Sequence, residues 1–193
     1  MSLTLNPCDN AENNLKIIDN QPADGVKKEF GVCVKQLTYP HRDFIIRFIE
    51  WVHMLRLLGN SKVHVYVRFF HPEMMKIIKH FELLGLVETY DFLEPACMSN
   101  DQLGTQNTMA LEHAILNDCF YKVKNLYTYV AILDPDEIIM PANENDHSWQ
   151  DLFKSFNQSF DIYPSRMIFY PEFEEMLIDG VPSYFYMLTH VQV

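Results

Sequence analysis

The chain has few basic residues, and this shortage limits the partners that it can bind through charge. Its 193 residues include 15 Lys and Arg against 26 Asp and Glu, which gives a net charge of −11. A surface that binds a nucleic-acid backbone needs clustered Lys and Arg side chains. The composition therefore argues against polyanion binding through charge, while it permits a single phosphate ligand bridged by a metal ion.

Long apolar runs are also lacking. The longest stretch without Asp, Glu, Lys or Arg covers residues 180–193 and contains Ser, Thr, His and Gln. A membrane-spanning helix needs about 20 predominantly apolar residues. Residues 1–20 have no apolar core behind a basic flank, so no signal peptide is predicted. Any membrane anchor is therefore expected to lie outside this chain.

Cysteine pairs at short spacing are absent too. A structural zinc site usually draws on two such pairs, so the wide spacing argues against zinc. An even number of cysteines permits two disulfides and equally permits four buried thiols, so the redox compartment stays open at this point. The four cysteines are Cys8, Cys33, Cys97 and Cys119.

Alternating strand and helix periods are what the sequence does contain. Hydrophobic residues make up 48% of the chain, enough for the core of one domain without disulfides. The periods predict strands over 30–37, 62–70, 86–92 and 126–133, and helices over 43–58, 72–84 and 105–123. Three strand–helix units followed by a strand predict an open, mostly parallel α/β sheet of Rossmann-like type with helices on both faces.

The pattern loosens after Pro141. A helix is expected over 149–156, and strands are expected over 166–170 and 184–193. Residues 93–104, between the third strand and the third helix, are predicted to be a loop because of their Pro, Asn, Asp and Gly content.

The fourth predicted strand ends in the acidic run Asp134-Pro135-Asp136-Glu137. Ligands of open α/β sheets bind at the carboxyl ends of the strands. An extended backbone would project Asp134 and Asp136 to the same side, and Pro135 would stiffen the segment. Two carboxylates aimed together favour a cation, and Mg²⁺ or Mn²⁺ suits oxygen ligands, particularly beside a phosphate.

A purely structural interpretation of this run has similar weight. Asp134 could cap a helix with Pro135 at its first position and Glu137 at its third, which is close to a capping box. Pro141 leaves room for barely one helical turn. Asn117 and Asp118, late in the third predicted helix, form a second candidate, for which periodicity favours a solvated helix face.

Two kinds of enzyme carry a D-x-D motif after an apolar strand. In phosphohydrolases of the haloacid dehalogenase type the motif holds the nucleophile, but it lies near the start of the fold and needs further motifs on later strands. In nucleotide-sugar transferases of the GT-A type, strand–helix units precede a D-x-D that holds a metal ion on the diphosphate. The order of elements in this chain favours the second kind.

A set of motifs in a fixed order resembles glycosyltransferase family 92. The motifs are FGVCVK from Phe30, FIEW from Phe48, LLG from Leu57, HPEMM from His71, NDC from Asn117 and LDPDEIIMP from Leu133. The resemblance implies a GT-A fold and a metal-assisted, inverting transfer of a hexose such as galactose from a UDP-sugar to a glycan acceptor. It also implies a lumenal domain in the Golgi or secretory pathway, since animal members are type II membrane proteins. Residues 1–25 would be an N-terminal extension and residues 26–193 the family domain.

The resemblance also implies roles for individual residues. Asp134 and Asp136 match the D-x-D positions and would bind Mn²⁺ or Mg²⁺, with Asp134 also contacting the sugar nucleotide. Glu137 matches the adjacent acid, whose role is open. Other residues expected near the donor are Lys35, Thr38, Tyr39, Asn117 and Asp118.

Two departures from the family pattern bear on the function. Lys122 stands where the family usually has Arg, and an ammonium cannot reproduce a bidentate guanidinium contact. Family members continue past the position of Val193 with a His expected to complete the metal site, so the chain is interpreted as a truncated member with its donor half present. His190 does not match that later His. No catalytic base is assigned, and a non-catalytic module that binds a nucleotide or a partner is the alternative function.

Overall fold

A computed structural model describes residues 18–34, 37–39, 44–91, 105–154, 156, 160–168, 179–182 and 184–189. The strands are β1 (Lys28–Val34), β2 (Leu37–Tyr39), β3 (Lys62–Phe70), β4 (Val87–Asp91) and β5 (Tyr127–Leu133). The helices are α1 (Phe44–Leu57), α2 (Pro72–Leu83), α3 (Thr105–Val123), α4 (Trp149–Lys154) and α5 (Tyr186–Thr189).

All strand pairs in the sheet are parallel, as the alternating periods predict. β1 pairs with β3 on one side and with β5 on the other, and β4 pairs with the far edge of β3. β2 lies beside the carboxyl end of β3. Residues 30–34 of the predicted strand over 30–37 belong to β1 and Leu37 belongs to β2, while residues 35–36 lie outside the described residues. The resulting order is β4–β3–β1–β5. Because the chain proceeds from β1 to one side and returns at β5 on the other, the carboxyl ends of β1 and β5 flank the switch point of the sheet.

Helices cover both faces of this sheet. Side chains of β1 such as Phe30 and Val32 pack with α1 and α2, where Trp51 and Ile78 are fully buried. The opposite face of the sheet packs against Ile115, Cys119 and Val123 of α3. Gly59 ends α1 with a φ of 102°, as its position in the sequence predicts. The expected doubly covered α/β sheet is therefore confirmed.

A disulfide between Cys33 of β1 and Cys119 of α3 fastens α3 to the sheet. Both cysteines are fully buried in the cluster beneath α3. The sequence permits either disulfides or free thiols, and the structure shows that two of the four cysteines form a disulfide. Cys8 and Cys97 lie outside the described residues.

Within the described residues, the prediction for the C-terminal part is right in one place and wrong in two, while residues 155, 169–170 and 190–193 of the predicted elements lie outside the described residues. The expected helix after residue 148 is present as α4, whereas residues 166–168 form no strand and residues 186–189 form α5 in place of the expected strand. The cause at α5 is Glu50, a buried residue of α1 whose Oε2 accepts hydrogen bonds from the backbone N–H of Tyr186 at 2.8 Å and of Met187 at 3.0 Å. This tertiary contact favours a helical turn over the strand that the local aromatic run predicts.

None of the helices in the described segments combines the length and the apolar character needed to cross a bilayer.

Candidate functional site

The acidic run forms a tight turn at the carboxyl end of β5, beside the switch point. The backbone N–H of Glu137 donates to the carbonyl of Asp134 at 2.9 Å, which closes a four-residue turn with Pro135 at its second position. The prediction of an extended backbone through Asp136 is therefore wrong, because the chain reverses directly after Leu133. Asp134 is partly exposed and Asp136 is exposed, at the carboxyl end of β5.

Glu137 closes the turn a second time through its side chain. Its Oε2 accepts a hydrogen bond from the backbone N–H of Asp134 at 2.9 Å. This is the reciprocal bond of a capping box, yet no helix follows before α4 begins at Trp149. The structural interpretation of the run is thus right about the side-chain contact and wrong about the helix.

Both tryptophans of the chain hold the segment that follows the turn. The indole Nε1 of Trp51 in α1 donates to the carbonyl of Glu137 at 2.7 Å, and that of Trp149 in α4 donates to the carbonyl of Ile139 at 2.8 Å. Both indoles are buried, and so is Pro135. Buried hydrogen bonds from rigid aromatic side chains fix the backbone here, so the turn keeps a set position relative to the sheet.

The donor set of the turn fits a hard divalent cation. Asp134 and Asp136 offer carboxylate oxygens, which Mg²⁺ and Mn²⁺ prefer. Within the described part of the chain, no group of three or more His, Cys, Asp or Glu side chains could hold a metal ion. Two carboxylates are enough for a site of the kind in which phosphate oxygens and water complete the coordination.

The residues expected near the donor from the end of the first strand are only partly described. Thr38 and Tyr39 belong to β2, which runs beside Phe69 and Phe70 of β3. Lys35 lies outside the described residues. The structure thus places Thr38 and Tyr39 at the carboxyl end of the sheet, and their contact with a nucleotide remains a prediction.

The candidate residues on α3 have partners within the protein. Asn117 is exposed, and its Nδ2 donates to the carbonyl of His113 at 2.7 Å. Asp118 forms an ion pair with Lys122 and accepts a hydrogen bond from the hydroxyl of Tyr66 at 2.5 Å. The periodicity therefore predicts the exposure of both residues correctly, although it does not predict the contact between Asp118 and β3.

The strand register relates Asp118 to the acidic turn. Cys33 is level with His64 of β3 and with Ile132 of β5. Tyr66 lies two residues after His64 along β3, and Asp134 follows the end of β5, two residues after Ile132. Asp118, bonded to Tyr66, therefore contacts the sheet at β3 and not at the acidic turn.

A polar cluster beneath α3 is the feature that the sequence did not reveal. The fully buried ring of His64 lies with Nδ1 3.0 Å from the hydroxyl of Tyr90 and Nε2 3.0 Å from that of Tyr127. Burial lowers the pKa of His64 from 6.5 to about 4, with Lys62 and Lys28 adding to the shift and Glu88 opposing it. The ring is therefore neutral at physiological pH, with one nitrogen donating and the other accepting.

The tyrosines of this cluster keep their protons. Burial raises the pKa of Tyr127 to about 12, with the Glu88 charge contributing. Burial also raises the pKa of Tyr66, helped by its hydrogen bond to Asp118, and that of Tyr90, helped by the nearby Glu88. The alternation of residues 62–70 predicts a strand that contains His64, but only the fold shows which hydroxyls meet its ring.

The fold and the turn together define the class of protein. An open parallel sheet in the order β4–β3–β1–β5, covered on both faces by helices, is a doubly wound α/β domain whose ligands bind at the carboxyl ends of the strands. Comparison with known families is more specific, since the model of glycosyltransferase family 92 matches residues 28–191. The chain belongs to glycosyltransferase family 92. Searches of curated proteins and of solved structures gave no match.

Family membership makes the domain a glycosyltransferase by class, with a sugar donor and an acceptor as substrates. It also indicates the secretory pathway as the setting. The acidic turn places two carboxylate residues at the carboxyl end of β5, which is the ligand-binding end of this kind of fold.

Proposed function

We propose that this domain transfers a hexose from a UDP-sugar to a glycan acceptor, with inversion at the anomeric carbon. Galactose is the first candidate for the hexose. The observation that carries the proposal is the acidic turn of a family 92 domain, fixed at the carboxyl end of β5 by Glu137, Trp51 and Trp149. Two carboxylates on a fixed turn at this end of the sheet suit recognition of a sugar diphosphate through a cation.

Asp134 and Asp136 would hold Mn²⁺ or Mg²⁺ against the donor diphosphate. The protein carries a net charge of −11, so an anionic donor needs a cation between itself and these carboxylates. When bound, the ion supplies charge stabilisation to the departing diphosphate. The turn contributes a backbone held in place by Glu137, Trp51 and Trp149, which limits the reordering needed when the donor arrives.

In the proposed transfer, an acceptor hydroxyl oxygen forms a bond to the anomeric carbon. The bond from that carbon to the diphosphate oxygen breaks, and UDP leaves with the electron pair. The proton of the hydroxyl passes to a general base. Attack from the side opposite the leaving group inverts the configuration at the anomeric carbon.

The cellular setting that we propose is the lumen of the Golgi. The Cys33–Cys119 disulfide supports it, because disulfides form and persist in the oxidising compartments of the secretory route. Family membership points to the same route. The sequon at Asn157, outside the described residues, would suit a lumenal protein.

Calorimetry with UDP tests the proposal directly. The wild-type chain should bind UDP when Mn²⁺ is present and bind it at least tenfold more weakly in chelator. Asp136→Asn should lose the Mn²⁺-dependent part, because one anionic ligand of the ion is gone. Glu144→Gln, which removes a negative charge from an exposed residue of the loop before α4, is the matched control and should bind as the wild type does. Unchanged UDP affinity in Asp136→Asn would refute the metal role.

A transfer assay separates catalysis from binding. The same chain is incubated with UDP-galactose, Mn²⁺ and a glycan acceptor, and both UDP release and the new glycoside are measured. Product formation supports the proposal. Tight UDP binding without release of the sugar would indicate a nucleotide-binding module in its place.

A further inference from the structure

Glu137 is the third acid of the turn and the obvious candidate for a third metal ligand. Its contacts indicate a different use. The side-chain Oε2 accepts from the N–H of Asp134, the backbone N–H donates to the carbonyl of Asp134, and the backbone carbonyl accepts from Trp51. Each of these three polar groups is committed to the turn or to its attachment to α1.

The hydrogen bond from the Asp134 backbone N–H needs a side-chain oxygen of residue 137 at hydrogen-bond distance, and this oxygen need not carry a charge. A carboxylate oxygen and an amide oxygen both accept from a backbone N–H in this geometry. A metal ligand in a site of two or three carboxylates is different, since loss of its negative charge weakens the hold on the cation whatever its shape. The conservative change from Glu to Gln therefore separates the two roles.

We infer that Glu137 is a positioning residue, whose carboxylate fixes the backbone of Asp134 and thereby the direction of the Asp134 side chain. The inference rests on the proposed function for what Asp134 binds, while the hydrogen bond itself is independent of it. Trp51 of α1 adds a second contact, because its indole donates a hydrogen bond to the backbone carbonyl of Glu137. The turn is thus held by hydrogen bonds at Asp134 and at Glu137.

Hydrogen exchange at the amide of Asp134 tests the contact in the metal-free protein. Glu137→Ala removes the acceptor, so exchange at this amide should accelerate about tenfold or more. Glu137→Gln keeps an oxygen acceptor, and the amide should stay protected to within about threefold of the wild type. Equal protection in all three proteins would overturn the inference, and so would equal loss of protection in both variants.

UDP binding in the presence of Mn²⁺ is the second measurement on the same variants. Glu137→Gln should bind UDP within about threefold of the wild type, whereas Glu137→Ala should bind it about tenfold more weakly because Asp134 is no longer held. If Glu137 were a ligand of the ion, Gln and Ala would weaken binding alike, and that result would overturn the inference. Glu144→Ala is the control and should leave both measurements unchanged.

The two proposals fail in distinguishable ways. If the wild-type chain binds no UDP with Mn²⁺, the proposed function is wrong, and exchange at the Asp134 amide still decides whether Glu137 closes the turn. If the wild type binds UDP and Asp136→Asn does not, the metal role is supported, and the comparison of Gln with Ala at Glu137 decides the positioning role. Circular dichroism of Glu137→Ala shows whether the fold is intact, and Glu137→Gln supplies the decisive comparison if it is not.

Discussion

Reduction of the Cys33–Cys119 disulfide should destabilise the domain by several kilocalories per mole. The bond joins residues separated by 86 positions. In the chain-entropy description, closing a loop of this length lowers the entropy of the unfolded chain and so raises its free energy by about 4.6 kcal/mol at 25 °C. Because unfolded chains are more compact than that description assumes, we expect a loss of about 2–4 kcal/mol in the free energy of unfolding.

The assay is urea unfolding with and without a reductant, followed by tryptophan fluorescence. Both indoles are buried near the acidic turn, so their signal reports the loss of this part of the fold. The double variant Cys33→Ala/Cys119→Ala is the control, since a reductant should leave its midpoint unchanged while it lowers that of the wild type. An unchanged wild-type midpoint would refute the reasoning, as would an equal shift in the double variant.

Two further perturbations test the cluster beneath α3. Gly31→Ala would place a Cβ 2.6–2.8 Å from ring carbons of Tyr127. We therefore expect the free energy of unfolding, measured by thermal unfolding, to fall by about 1–3 kcal/mol. An unchanged melting temperature would contradict the packing. The pKa of His64 is about 4 in the folded state against 6.5 ordinarily, so the unfolded chain binds more protons between these values. Stability from this residue should therefore be complete above pH 6.5 and fall by about 3 kcal/mol as the pH drops to 4. His64→Gln should lack this part of the pH dependence. Urea unfolding at pH 7 and pH 4.5 measures the free energy of unfolding of both proteins, and an equal change between the two pH values in wild type and variant would contradict the assignment.

The sheet and the three long helices could be predicted because their signals are local. Strands such as 62–70 are short runs of β-branched and aromatic residues, and a helix such as 72–84 has regular apolar spacing and proline at its start. Parallel pairing follows, since helices of this length connect strands that run in the same direction. Because the strands and their order along the chain are predicted correctly, the acidic run is also predicted at the ligand-binding end of the sheet.

The details that the sequence could not predict depend on contacts between distant residues. Glu50 and Tyr186 are separated by 136 positions, and the helical turn at α5 depends on their meeting. The reversal at Asp134 depends partly on the hydrogen bond that the Glu137 carboxylate accepts from the Asp134 backbone. The sequence of residues 134–137 alone is compatible with a helix cap, an extended segment or a turn. Pairing of Cys33 with Cys119 likewise requires α3 to lie over β1.

Mn²⁺ binding measured by electron paramagnetic resonance tests the central claim most directly, because the signal of free Mn²⁺ falls as the ion becomes bound. In the wild-type chain, UDP should increase the bound fraction, since the diphosphate adds oxygen ligands to those of Asp134 and Asp136. The double variant Asp134→Asn/Asp136→Asn should show no increase beyond the Mn²⁺ that UDP binds in solution. An equal UDP-dependent increase in both proteins would contradict the assignment of the acidic turn as the metal site.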